Sequence, residues 1–276
     1  TYIGWLLHGV RGGVVAGSLF ILPGFFVIIA LSAIYALFQG SPIVDAAFFG
    51  LKAAVLAIVV EAVIRIGKRA LRNRFLIGLA AAAFVAIYAL QAPFPLIILA
   101  AGLIGYFGAR LRPQLFAAGG HGAAKNSDFF LDLPDRNVEK GPIRALRVLA
   151  VWGALWIAPV LLLAAIFGWS TVFTPIAKLF SMMAVITFGG AYAVLSYVAQ
   201  EAVAHLQWLK PGEMLDGLAM AETTPGPLIM VVQFVAFLGA SRHPGPLSPM
   251  LAGILGSAVT TWVTFVPCFY WIFLGA

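Results

Sequence analysis

Ala221-Glu222-Thr223-Thr224-Pro225-Gly226-Pro227-Leu228-Ile229 sits between two apolar segments, and its reading decides the fold. An acid, two hydroxyls and a Pro-Gly-Pro run do not belong inside a continuous membrane helix, because proline removes a backbone donor and crowds the preceding turn. In lipid, irregular backbone is tolerated only where protein buries it or where it lines a polar cavity. The stretch is therefore expected to be a lining element. Proline at a first helical position is favourable and leaves free N–H groups at the positive end of the next helix, facing the gap. Such an end is suited to anions.

Composition sets the solvent. The 276 residues are 62% hydrophobic and 10% charged, with a mean hydropathy of +1.02. A soluble domain is about half apolar and about a quarter charged, so the chain reads as an integral membrane protein in contact with the lipid bilayer. Its apolar runs approach the ~20 residues a helix needs to span, without the alternation of outer-membrane strands. The expected class is an all-α polytopic membrane protein of the cell inner membrane. A net charge of +7 and a pI near 9.8 could indicate nucleic acid in a soluble protein. Here the basic residues cluster between apolar spans as topogenic flanks, so no nucleic-acid partner is expected. Cys268 is the single cysteine, and His8, His121, His205 and His243 are scattered without ligand spacing, so neither a metal site nor a cofactor is expected. Thr1, not Met, opens the chain within a few turns of a long span with no secretory signal ahead, so upstream sequence is expected.

Spans are expected at about Gly12–Phe38, Ala46–Ile66, Phe75–Leu90, Leu96–Leu111, Ala145–Trp169, Phe173–Val198, Leu228–Leu238 and Leu251–Phe273. Pro23-Gly24 predicts a kink or break in the first. Gly13 and Gly17 make a small-xxx-small face for close helix contact. Gln39-Gly40-Ser41-Pro42 is a turn. Lys52 reads as a snorkelling side chain, and Glu61 as the ion-pair partner of Arg65 one turn on. Arg65, Lys68, Arg69, Arg72 and Arg74 form a loop expected to face the cytoplasm. Residues 113–143 are polar and glycine-containing, an exposed cytoplasmic linker between a partial amino-terminal membrane half (1–112) and a carboxy-terminal half (144–276). Trp208 reads as an interfacial belt residue, and Cys268 as a small packed side chain.

Two features point beyond packing. Thr187-Phe188-Gly189-Gly190 interrupts the apolar Phe173–Val198 segment, and adjacent glycines in a helix cost about 1 kcal/mol each against alanine, so backbone is expected to approach something closely there. Close helix packing is the other reading. Lys178, about three turns earlier, either snorkels at the interface or lends charge to a polar cavity. Further, residues 12–28 align without a gap on residues 256–272, matching Pro23 with Pro267, Phe25 with Phe269 and Ile28 with Ile272. Two homologous, inverted halves with interrupted helices are the sequence pointer to a secondary transporter with a midplane site.

Phe188-Gly189-Gly190-Ala191-Tyr192-Ala193-Val194-Leu195, then Gly217-Leu218-Ala219, then Glu222-Thr223-Thr224-Pro225-Gly226-Pro227-Leu228-Ile229 resemble the signature of the chromate ion transporter family. The resemblance covers nearly the whole chain. It implies a membrane carrier exporting chromate, with sulfate as a close analogue, and not an enzyme. Longer members carry both motifs in each of two halves, so the chain resembles an amino-terminally truncated long member.

A tetrahedral dianion in a low-dielectric cavity needs several donors. Gly189, Gly190 and Gly226 are expected to present main-chain N–H groups to chromate, and Thr187, Thr223 and Thr224 to line the same site with hydroxyls. Lys178 is expected to supply positive field, and Pro225 and Pro227 to set the bend. Glu222 either takes a proton when the anion is bound, coupling transport to protons, or caps the nearby helix start. The rival from another class is an integral-membrane enzyme on a lipid-linked substrate using Glu222, Asp216 and Glu201, whose spacing makes no recognisable ligand set. A purely structural membrane subunit leaves both interruptions unexplained. A homodimer is left open.

Overall fold

A computed structural model describes residues 1–90, 92–112, 142–187 and 191–275, the side chains of Asp45, Arg69, Ala191 and Ala193 excepted. Phe188, Gly189, Gly190 and nearly all of the expected linker lie outside the described residues. The described chain is helical, with α1 Tyr2–Phe38, α2 Pro42–Ala70, α3 Arg74–Tyr88, α4 Phe94–Leu111 and α5 Pro142–Phe167. Then come α6 Phe173–Ile186, α7 Ala191–Gln200 ending in a π-turn Glu201–His205, α8 Glu213–Thr223, a 3-10 turn Leu228–Met230, α9 Val231–Arg242 and α10 Pro249–Gly275. Five of these are long and apolar enough to cross a membrane: α1, Pro42–Lys68 of α2, α4, α5 and α10. Arg74–Tyr88, Phe173–Ile186 and Leu228–Arg242 are shorter apolar helices. The protein is an all-α, multi-pass membrane protein.

Internal contacts join Thr1–Val55 with Leu133–Ala276 and set Leu56–Asp132 apart. In the smaller unit α3 and α4 pack against each other, and neither holds a buried residue. The Asn73 side chain accepts the Leu76 amide at 2.8 Å and starts α3, as a cap should. Arg65 pairs with Glu61 one turn earlier, both exposed, as their spacing predicts.

The larger unit is built around α9. Val231 to Ala240 are all buried, because α1, α6 and α10 pack on it from several sides. A helix that is apolar all round is a core helix. Small residues let its neighbours approach: a Cβ on Gly253 would stand 2.9 Å from the Phe237 ring, and one on Gly239 would stand 2.7 Å from Trp208. Trp208 is therefore a core anchor, 3% exposed, and not a belt residue. The Arg242 guanidinium also donates to its carbonyl at 2.7 Å.

Of the kink or break expected at Pro23, the break is absent. α1 runs through Pro23, and its non-helical residues are His8 (φ −129°) and Gly9 (φ 66°). There the chain turns back, so that Trp5 packs on Gly13 and Thr1 on Gly17. Gly13 and Gly17 also receive the Phe273 and Phe269 rings of α10, so the small-residue face is a helix contact as expected. Pro159 and Pro267 likewise lie inside continuous helices. Each lone proline loses one hydrogen bond, which a packed apolar helix survives.

Candidate functional site

The break after α8 is real and has an identifiable cause. Each proline pushes its predecessor out of the helical region. Thr224 before Pro225 is extended (φ −102°, ψ 149°), and Gly226 before Pro227 takes φ +134°, which only glycine adopts readily. Pro227 then leads into the Leu228–Met230 turn, whose first hydrogen bond runs from the Met230 amide to the Pro227 carbonyl at 2.9 Å. The Leu228 and Ile229 amides precede that bond and open the Leu228–Arg242 helix, where orphan donors and the positive dipole end collect.

α1 supplies the floor of the break. A Cβ on Gly24 would stand 2.7 Å from the Pro225 carbonyl oxygen, and Gly24 Cα lies 3.5 Å from the Cβ position of Gly226. Gly24 is thus the contact surface for the Pro225-Gly226 pair. Gln233, fully buried, donates to the Phe25 carbonyl at 2.8 Å and fixes the register.

A cavity of about 270 Å³ opens beside the break, lined by Met183, Ala184 and Thr187 of α6 and its end, Pro227, Leu228 and Ile229, and Thr264, Phe265 and Cys268 of α10. It has room for several waters or one tetrahedral oxyanion. Thr264 and Cys268 were not singled out from sequence as site residues, although Ser257, Thr260, Thr261, Thr264 and Cys268 form a run of small polar residues along the last span. The Thr264 hydroxyl is buried without a partner. Cys268 is exposed at the cavity, which corrects its reading as a packed side chain.

Thr187, Pro227, Leu228 and Ile229 share one cavity wall, whereas Lys178 does not. Lys178 is exposed on α6 and lines another depression with Trp156, Trp169, Thr174 and Ser181, nine residues or roughly 13 Å along the helix from Thr187. Gly189 and Gly190 lie outside the described residues. The residues on either side of them both reach the break. Thr187 does so at the cavity, and the Tyr192 hydroxyl on α7 donates to Glu222 Oε1 at 2.5 Å. Tyr192 sits in the sequence motif, but nothing local to it indicated this partner.

Glu222 stands at the carboxy-terminal end of α8, half-buried, where a negative charge is opposed by the helix dipole. The threonine hydroxyls bond back to their own helices. Thr223 donates to the Ala219 and Met220 carbonyls at 2.9 and 3.1 Å, Thr224 to Ala221 at 3.3 Å, and Thr187 to Met183 at 2.6 Å. A single χ1 step frees each of them.

At the other end of α8, outside the apolar spans, two buried acids meet two bases. Glu213 is chelated by Arg242 through two contacts of 2.7 Å, and also accepts the Lys210 amide at 2.7 Å and Gln39 at 2.6 Å. Burial works to raise its pKa, but the Arg242 hydrogen bonds, the Lys210 amide, Gln39 and the Arg242 charge together carry it below the usual carboxylate value. Asp216 Oδ1 lies 2.9 Å from Lys52 Nζ, and Oδ2 accepts the Tyr35 hydroxyl at 3.0 Å. Here burial wins and the carboxyl is raised, against Lys52 and Tyr35. Lys52 is therefore an ion-pair partner and not a free snorkelling side chain. Among the described residues no cluster of three or more His, Cys, Asp or Glu side chains could hold a metal.

The sequence model of the family described as "Chromate transporter" matches residues 1–106 and 174–276. A "Chromate transport protein" of Pseudomonas aeruginosa is 32% identical over 98% of this chain and 56% of its own length. One of Cupriavidus metallidurans is 23% identical over 100% of this chain and 58% of its own length. An "Uncharacterized transporter" of Methanocaldococcus jannaschii is 22% identical over 98% and 59%. The chain thus spans somewhat over half the length of these relatives. No solved structure matches. Since the family model covers both ends of the chain, and with them the Pro-Gly-Pro break and the helices that line its cavity, the chain belongs to the chromate transporter family.

Proposed function

We propose that the protein is a secondary carrier that exports chromate across the inner membrane, with proton coupling, and that the oxyanion binds in the cavity at the Pro225-Gly226-Pro227 break. The observation that carries this reading is the cavity itself, lined by Thr187 together with Pro227, Leu228 and Ile229, the residues that open a buried helix. A dianion there is stabilised by main-chain N–H groups, by Thr187, Thr223 and Thr224 after χ1 rotation, and by Gly189 and Gly190 next to Thr187. Gly226 aims the amides, and Pro225 and Pro227 hold the bend. Lys178 contributes positive field from farther up the same helix. Relatives whose names state chromate transport favour a carrier over an enzyme.

Glu222 is the coupling group at the anion site in this reading. Its carboxylate, held by Tyr192, repels a dianion while ionised, so proton uptake accompanies anion binding. Residues 1–112 and 144–276 act as the two membrane halves, joined by the linker. The test is chromate uptake into inverted vesicles under an imposed pH gradient, with sulfate as competitor. Thr187→Val and Gly226→Ala should each lower the initial rate, and Glu222→Gln should remove its dependence on the gradient. Wild-type rates in both Thr187→Val and Gly226→Ala would overturn the site.

A further inference from the structure

The two buried acids at the start of α8 are held in opposite ways. Glu213, 4% exposed, has a planar guanidinium across both oxygens, a main-chain amide and an amide side chain. Nothing in that shell can leave easily, so Glu213 stays ionised. Asp216, one turn on and 3% exposed, has a neutral phenol on one oxygen and a lysine ammonium on the other. The Lys52 side chain is 36% exposed, a flexible point charge already reaching water. Asp216 Oδ1, though 2.9 Å from that ammonium, takes no well-aligned hydrogen bond. Two carboxyls whose surroundings push their proton affinities apart mark an acid–base assignment, with Asp216 as the one that titrates.

We propose that Asp216 is a proton-binding site, at which a proton from water on Oδ1 replaces the ion pair to Lys52. The charge balance is simple. Lys52 keeps its own proton and moves into water, Asp216 becomes a neutral acid still bonded to Tyr35, and the local charge rises by one. The groups facing Asp216 are Tyr35 on α1, Lys52 on α2 and Glu213 on its own helix, with Gln39, just past α1, and Arg242 on α9 reaching it through Glu213. All but Lys52 hold still when the proton arrives. Its departure unties α2 from the start of α8. The other end of α8 is the Thr224–Pro227 joint, so a shift of this short helix is delivered to the cavity wall. Burial raises the Asp216 carboxyl, in the direction the site needs. Asp216 and Glu222 are six residues, roughly 9 Å, apart along α8, so they are separate sites at opposite ends of one lever.

This inference rests on the oxyanion-carrier reading, and its test separates the two. The protein is reconstituted in liposomes, and two rates are measured with chromate: gradient-driven accumulation, and exchange with chromate on both sides at equal pH. Asp216→Asn copies the protonated acid in shape and charge, so exchange persists while accumulation under the pH gradient is lost. Tyr35→Phe removes a donor to the ionised form, so the pH midpoint of transport moves up by about one unit. Accumulation intact in Asp216→Asn overturns the inference, as does loss of exchange and accumulation together in a protein that elutes as folded. If Asp216→Asn fails to fold, Tyr35→Phe decides, and an unmoved midpoint overturns the inference. Absence of chromate transport in the wild type under every gradient would instead overturn the carrier reading.

Discussion

Pro23-Gly24 and Pro225-Gly226-Pro227 are the same dipeptide in two settings, and only one of them stops a helix. At Pro23 a single proline follows Leu22, and α1 continues on both sides. At Pro225 and Pro227 two prolines stand two residues apart, so Thr224 and Gly226 are both forced out of the helical region. One lost hydrogen bond is absorbed by packing; two displaced predecessors in succession are not. The two regions also touch, since Gly24 is the surface on which the Pro225 carbonyl rests. The helix that survives its proline is the support for the one that does not.

The largest effect is expected at Gly226. Gly226→Ala places a side chain at φ +134° and should lose about 1–3 kcal/mol. Because it also re-aims the Leu228 and Ile229 amides, chromate uptake should fall by about tenfold or more. Vesicle uptake and thermal unfolding in detergent measure the two parts. Gly24→Ala comes next. Its methyl would stand 2.7 Å from the Pro225 carbonyl, an overpacking worth about 1–3 kcal/mol, nearer the lower figure for one methyl group. Uptake should drop with it. Wild-type behaviour in Gly24→Ala would mean that the two regions do not lean on each other.

Pro23→Ala sharpens the contrast from the other side. The helix already passes through this position, so restoring an N–H should leave uptake near wild type and raise stability slightly. Loss of transport would show that Pro23 does more than lie in a helix. The smallest effect belongs to Glu61→Gln, which breaks an exposed pair in the smaller unit and should change stability by less than about 0.5 kcal/mol. Unfolding midpoints of that variant set the floor against which the others are read.

What was legible locally came from local rules. The spans follow from apolar length, the turn at Gln39–Pro42 from its Gly and Pro, the close contacts at Gly13 and Gly17 from their spacing, and the break from paired prolines. Trp208 was misread because a tryptophan beside charged residues looks interfacial, whereas Gly239 opens a slot for it thirty-one residues later in the chain. Pro23 does not break α1, because tolerance of a lone proline depends on neighbours. The reversal at His8–Gly9 and the cavity side of Thr264 and Cys268 had no local signal strong enough to find them.

The amino-acid sequence by itself determined that this is a multi-pass helical membrane protein, where its long apolar spans run, and that the chain must break between Thr224 and Leu228. These are properties of side-chain hydropathy and of the φ restrictions of proline and glycine, which act within a few residues. The tertiary structure alone decided which buried charges meet. Asp216 finds Tyr35 across 181 residues of chain, and Glu213 finds Gln39 across 174. A charge in an apolar interior is stable only beside its partner, and packing, not sequence distance, brings the partner there.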